Sequence, residues 1–234
     1  MKKMLFSVFI SILLSSSCFA QRTHRVGVLP YAYDAQGKVH FLLGAEPKKA
    51  KLFVWSEFSG AQDEKDIDFP RQTAARVLNN GTRCYFGFEA TQTASLDKKP
   101  KKPTISLCNK GIEYIMPRLK GNQLIPLTSY YSVYLAPIDW VDHEKFNRSP
   151  KIYEDGKLLV GATKQKFMWV STEDLLAEIK STPNRKDAKL PLRYRNAYGI
   201  TLSPMTYDLL KNPQAQEIIS SIIKKAPQVN KAKN

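Results

Sequence analysis

The stretch that most limits what this chain can fold into is residues 55–83, WSEFSGAQDEKDIDFPRQTAARVLNNGTR. It opens with apolar and aromatic residues of strand character, then passes Gly60 into a loop carrying Asp63, Glu64, Asp66 and Asp68. An amphipathic helix follows. Asp68 suits its N-cap, Pro70 its first turn and Gly81 its C′ position. Ala74, Val77 and Leu78 fall at i, i+3 and i+4 and so share a buried face, with Arg76 beside that stripe. A short strand and a one-faced helix both need a sheet to pack on.

The rest of the chain supplies one. Residues 25–33 (RVGVLPYAY) and 38–44 (KVHFLLG), joined by Asp34-Ala35-Gln36-Gly37, read as a hairpin. A basic loop at 47–51 leads to a third strand at 52–58. Residues 82–88 (TRCYFGF) have β character, and 91–103 form a polar, lysine-rich connector. Residues 104–108 and 112–116 read as two strands around an Asn109-Lys110-Gly111 turn, and 130–138 (YYSVYLAPI) as a strong strand. Residues 139–161 read as irregular, with a small hairpin around Asp155-Gly156. The strand 166–170 (KFMWV) enters a helix at 172–180, with Ser171 and Asp174 spaced like a capping box. Ser203-Pro204 starts another helix. The last spans 213–225, with Ile218, Ile219, Ile222 and Ile223 along one stripe. The order predicts an α+β fold, a mixed β-sheet flanked by helices with further helices at the C-terminus.

Residues 1–20 have the pattern of a secretory signal. Lys2 and Lys3 precede an apolar run at 4–14 too short to span a bilayer, and small residues lead to Ala20. An uncleaved anchor and lipidation at Cys18 are the alternatives. No later apolar run approaches a membrane-spanning length. The expected layout is a signal at 1–20, a main domain at 22–182, a helical extension at 183–226 packed on it, and a polar tail at 227–234. The expected destination is the periplasm or the exterior.

Two cysteines follow the signal, Cys84 and Cys108. In an oxidising compartment an even pair invites a disulfide, worth roughly 3–4 kcal/mol on the chain-entropy model. Two buried thiols on separate strands are the alternative. With His24, His40 and His143 scattered, the chain has no zinc-ligand spacing. A net charge of +15 can attract phosphorylated small molecules or acidic macromolecules; lysines simply spread over a solvated surface are the alternative. The lysine blocks, Lys98, Lys99, Lys101 and Lys102 in one and Lys224, Lys225, Lys231 and Lys233 in the other, do not interleave with aromatics. No sequence-specific nucleic-acid partner is expected.

At this point residues 25–180 resemble the Nudix hydrolase superfamily. The resemblance rests on the opening hairpin RVGVLPYAYDAQGKVHFLLG, on WSEFSGAQ before a helix, and on KFMWVSTEDLLAEI near the end. It implies an α/β/α sandwich and metal-assisted hydrolysis of a diphosphate linked to another moiety. The family signature is Gly-x5-Glu-x7-Arg-Glu-U-x-Glu-Glu-x-Gly-U, U being bulky and apolar. Its glutamates line one helix face and hold Mg²⁺, which neutralises the diphosphate and activates water.

In this chain Gly60 falls on the first Gly and Asp66 on the first Glu. With two extra residues allowed, Arg76 falls on the signature Arg and Leu78 on the apolar position. Val77 stands for the Glu after Arg, Asn80 and Gly81 for the Glu pair, and Arg83 for the Gly. Residues 69–88 hold no carboxylate. The resemblance makes Gly60 and Arg76 candidate ligand-binding residues, and Glu57, Asp66 and Arg76 candidate catalytic ones. Arg76 also reads as a helix-to-loop tether, and Gly60 as a tight turn. Glu57, Asp63, Glu64, Asp66 and Asp68, with Glu89, form either a shifted Mg²⁺ site or a solvated acidic loop. Asp139, Asp142, His143 and Glu144 read as a polar loop, and Glu173 and Asp174 as the first turn of a helix.

The chain has no Gly-x-Ser-x-Gly elbow, no Gly-x4-Gly-Lys loop and no His-Glu-x-x-His. Two functions remain. One is an exported Nudix-like protein without the usual hydrolase site, needing no cofactor and acting by binding. The other is a diverged hydrolase that cleaves a nucleoside-diphosphate-linked substrate with Mg²⁺ held by the acidic loop. Residue chemistry favours the first.

Overall fold

β1 (Arg25–Tyr33) and β2 (Val39–Pro47) form the expected hairpin, with Tyr31 opposite Phe41 and Tyr33 opposite Val39. The Asp34 carboxylate fixes the turn by accepting from the Gln36 and Lys38 N–H groups at 2.9 and 2.8 Å. The computed structural model describes residues 24–47, 53–66, 68–87, 105–148, 153–154, 157–158, 164–195 and 201–226. The signal segment with Cys18, the connector, Glu89, Lys98 to Lys102, and the tail with Lys231 and Lys233 lie outside the described residues.

Below the hairpin β1 and β2 part, and the chain returns into the gap. β3 (Phe53–Ser56) pairs with β2, and β4 (Phe58–Ala61) pairs with β1. The single strand expected at 52–58 is therefore two, broken at Glu57. β5 (Leu124–Thr128), which the sequence reading missed, pairs with β6 (Tyr131–Pro137), and β6 runs parallel to β1. β7 (Tyr153–Glu154) and β8 (Lys157–Leu158) make the small separate hairpin. β9 (Lys166–Ser171) pairs with the free side of β2, and β10 (Thr201–Leu202) runs parallel to β3. The result is an eight-stranded mixed sheet ordered β10-β3-β2-β1-β6-β5, with β4 on β1 and β9 on β2.

Strand alternation gives this sheet two apolar faces. Val26, Val28 and Ala32 of β1 join the core that holds α1 (Arg71–Gly81), α2 (Ile105–Ile115) and α3 (His143–Arg148). Leu29 and Tyr31 join the core that holds α4 (Thr172–Ser181), α5 (Pro204–Lys211) and α6 (Pro213–Lys224). The sheet is thus the middle layer of an α/β/α sandwich, and the C-terminal helices share a core with it.

Three readings of local sequence are overturned. Residues 143–148, inside the stretch read as irregular, form the helix α3. Residues 105–115 form α2, not a strand pair. Gly111 is there to let another helix in: a Cβ at this position would collide with the Asn79 side chain of α1. Residues 82–87 do not form the expected strand either. Arg83 and Cys84 adopt φ of 58° and 55°, the chain reverses, and a helical turn covers 85–87. A left-handed residue other than Gly costs about 1–2 kcal/mol. The Arg83 guanidinium helps hold the turn, donating to the Asn147 and Gln165 carbonyls at 3.2 Å each. Cys84 is bonded to Cys108 with Cα atoms 4.9 Å apart, fastening the end of α1 to α2.

The caps also differ. Pro70 occupies the N-cap of α1 without a side-chain bond, while the Asp68 N–H donates to Gln72 at 3.1 Å; Gly81 is the last helical residue and Thr82 the C-cap. Ser171 precedes α4 without a side-chain cap bond; the Asp174 carboxylate accepts from Arg193 and Tyr194, and the Ser171 N–H donates to the Tyr194 hydroxyl at 3.0 Å. Ser203 and Asn212 do cap α5 and α6. Among the described residues no helix is long and apolar enough to cross a membrane.

Opening the Cys84–Cys108 bond, by reductant or by Cys108→Ser, is expected to lower the unfolding free energy by about 3 kcal/mol. Urea unfolding with and without reductant measures it, and peptide mapping of the non-reduced protein must find the 84–108 link.

Candidate functional site

Glu57 sits where the chain crosses from the β2 side of the gap to the β1 side. It is 3% exposed. Its Oε1 accepts from the Tyr131 hydroxyl of β6 at 2.6 Å, and its Oε2 from Thr206 and, at 3.4 Å, from Ser203. Its own N–H donates to Thr206 Oγ1 at 3.3 Å. Gly27 of β1 makes the room, since a Cβ there would lie 2.6 Å from the Tyr131 hydroxyl. Burial, and then the Glu57 charge, push the Tyr131 phenol far above its ordinary value, so it remains a donor. The carboxylate faces hydroxyl donors from the sheet and from the start of α5.

Asp66 is buried on the other side of the sheet's fork and faces different partners. Arg76 Nε and Nη2 donate to its two oxygens at 3.0 and 2.6 Å, Thr73 donates at 2.8 Å and the Asp63 N–H at 2.9 Å. Arg76 Nη2 also reaches the Ala61 carbonyl at 2.8 Å. Arg76 therefore tethers α1 to the acidic loop. Burial raises the Asp66 carboxyl, but the Arg76, Asp63 and Thr73 donors outweigh it and hold the group below the usual carboxylate range. Asp63 and Glu64 are exposed on the loop. Among the described residues no group of three His, Cys, Asp or Glu side chains stands close enough to hold a metal ion.

The face of α1 that the resemblance would furnish with glutamates is packed. Gly60 lies in β4 opposite Val26 rather than in a turn, and a Cβ on it would meet Val77 Cγ1 at 2.6 Å. Gly81 lies against the Phe58 ring so closely that any side chain there would collide with it. Asn79 is buried and donates to the Cys108 carbonyl at 2.8 Å. Arg83, standing for the signature Gly, adopts the backbone conformation that Gly suits.

The second polar cluster runs into the start of α3 rather than forming a loop throughout, and makes surface pairs. Arg118 approaches Asp139 at 3.7 Å, while His143 lies 3.8 Å from Asp142 and 3.5 Å from Glu144. The sequence reading missed a buried cation, Lys164, whose ammonium meets Ser56 and, at 2.9 Å, Glu46. It also missed Tyr131, Ser203 and Thr206 around Glu57. No local signal could reveal them, because Thr206 is 149 positions from Glu57.

No family profile matches the chain, and no curated protein matches it. Among solved structures it is similar to RenU, a Nudix hydrolase from M. smegmatis, at 14% identity and a TM-score of 0.36, covering 89% of this chain and 91% of that one. It is similar to the Nudix domain of Shewanella oneidensis NrtR, solved with ADP ribose, at 13% identity and 0.41, covering 89% and 97%. A MutT/nudix family protein from Enterococcus faecalis is similar at 9% identity and 0.41, covering 95% of this chain and 72% of that one.

Glu57→Ala is expected to lower the unfolding free energy by about 3 kcal/mol in metal-free buffer, because buried hydroxyls lose their acceptor. A wild-type melting temperature that rises with Mg²⁺, with the rise lost in Glu57→Ala, would instead make Glu57 a ligand. Asp66 has a depressed carboxyl in the folded protein. Its contribution is complete above its unfolded value of about 3.9 and is lost as pH falls through the lower folded value. Asp66→Asn should therefore flatten the acid side of the stability–pH curve below about pH 4. Arg76→Ala, which strands a buried charge, should cost about 3 kcal/mol at neutral pH.

Proposed function

We propose that this chain is an exported Nudix-like protein that does not hydrolyse diphosphates and acts by binding an acidic partner, either a phosphorylated small molecule or an acidic macromolecule. The observation that carries this reading is the packed face of α1. Val77 and Gly81 stand at two of the glutamate positions and fill space against Gly60 and Phe58. Asn80 at the third offers a neutral amide, which cannot supply the charge that holds a divalent ion against water. Asp66, the one carboxylate in register with the signature, is occupied by Arg76, Thr73 and the Asp63 N–H. Export rests on the pattern of residues 1–20 and is supported by the Cys84–Cys108 bond, which persists in oxidising compartments. The net charge of +15 supports an acidic partner.

Calorimetric titration with Mg²⁺ and Mn²⁺ is expected to give no saturable heat. A screen of ADP ribose, nucleotide sugars and dinucleotides is expected to give no turnover. Turnover that depends on Asp63, Glu64 or Asp66 would establish the acidic-loop hydrolase instead. Restoring a signature carboxylate with Gly81→Glu should not create activity and should destabilise the fold by about 3 kcal/mol through overpacking.

A further inference from the structure

A pocket of about 210 Å³ opens on the face of the sheet opposite α1, between the end of β1, the turn before β5 and the last turns of α6. We propose that it binds a small polyhydroxylated anion whose charge is a phosphate or a carboxylate; this deepens the binding reading above and rests on it. Lys120 and Lys225 stand on its rim, both exposed, and neither ammonium has a carboxylate partner among the described residues. Two unneutralised ammonium groups on one small concavity attract an anion and can donate to it.

The floor supplies the rest. Tyr31 is buried and packs edge to face with Tyr33, ring centres 6.1 Å apart, and the half-buried Tyr33 ring offers apolar surface of the kind on which the C–H face of a sugar packs. Gln123 donates through Nε2 to the Tyr31 hydroxyl at 3.3 Å, while its Oε1 is buried without a hydrogen-bond partner. That oxygen is closed off from the pocket; Asn122 and Ser221 instead add a side-chain amide and a hydroxyl to the lining, groups able to hydrogen-bond the hydroxyls of such a molecule. The C-terminal end of α6 disfavours an anion through its exposed carbonyls. Tyr33 lessens this by donating to the Ile222 carbonyl at 3.2 Å, and Lys225 places its charge beside the same helix end. Charge, ring surface and polar side chains thus converge on one class of molecule.

The test is calorimetric titration of the full chain with glucose 6-phosphate, gluconate and glucose. Saturable binding of at least one of the two anions, with none for glucose, is expected. Lys120→Glu and Lys225→Glu should each weaken it about ten-fold or more, with the melting temperature unchanged because both side chains are exposed. Whichever anion binds more tightly identifies the charge. Binding of neither anion, or equal affinity in both variants, overturns the proposal. Those failures leave the packed face of α1 and the non-hydrolytic reading standing, whereas turnover of ADP ribose would remove that reading and leave this pocket.

Discussion

The buried carboxylate of Glu57 is the point on which the architecture turns. β1 and β2 begin as a hairpin and then diverge, and the chain can fill that divergence only by leaving β2 for β1 in a single residue. That residue is Glu57. A charge removed from water needs donors in return, and here they come from β6 and from the first turn of α5. The fork in the sheet, the parallel strand beside β1 and the C-terminal helices are therefore joined through one side chain. Gly27 belongs to the same arrangement, since the Tyr131 hydroxyl occupies the space a larger residue would need.

Both faces of the sheet carry ion pairs, Asp174 with Arg193 and Glu178 with Arg195 on the α4 side among them. On the α1 face, acidic and basic groups are used internally: Asp66 with Arg76, Arg83 with the Asn147 and Gln165 carbonyls. The Asn79 amide and the Cys84–Cys108 bond then lock α1 to α2. α1 is thus fastened at both ends, to the acidic loop through Arg76 and to α2 through Asn79 and Cys84. On the α6 face, the lysines at the pocket rim are left to solvent.

Much of the frame was legible in the sequence. The opening hairpin and the strand running into α4 carry strong periodicity with turn or helix-start chemistry at their ends, and both formed as expected. The disulfide was one of two open readings. Errors arose where a residue had two physical uses. Gly111 reads as a turn glycine, yet its lack of a Cβ admits the Asn79 side chain. Ser171 and Asp174 have capping-box spacing, yet the Asp174 carboxylate finds Arg193 and Tyr194 on a distant loop and the Ser171 N–H finds the Tyr194 hydroxyl, so long-range partners replace the reciprocal half of the box. The candidate site was less legible for the same reason. Glu57 and Asp66 were visible as carboxylates, but whether a carboxylate is free depends on donors that sequence proximity does not show.

β10 is only two residues long, yet it covers the outer edge of β3 and leads directly into Ser203 and Thr206. Until those residues have been synthesised, β3 presents unpaired backbone groups and Glu57 lacks its α5 donors. Contacts across such sequence separation form late and slowly. A nascent or C-terminally clipped chain therefore exposes a bare strand edge, the kind of surface that recruits other strands into aggregates. The few residues that close the sheet also decide when the protein stops being sticky.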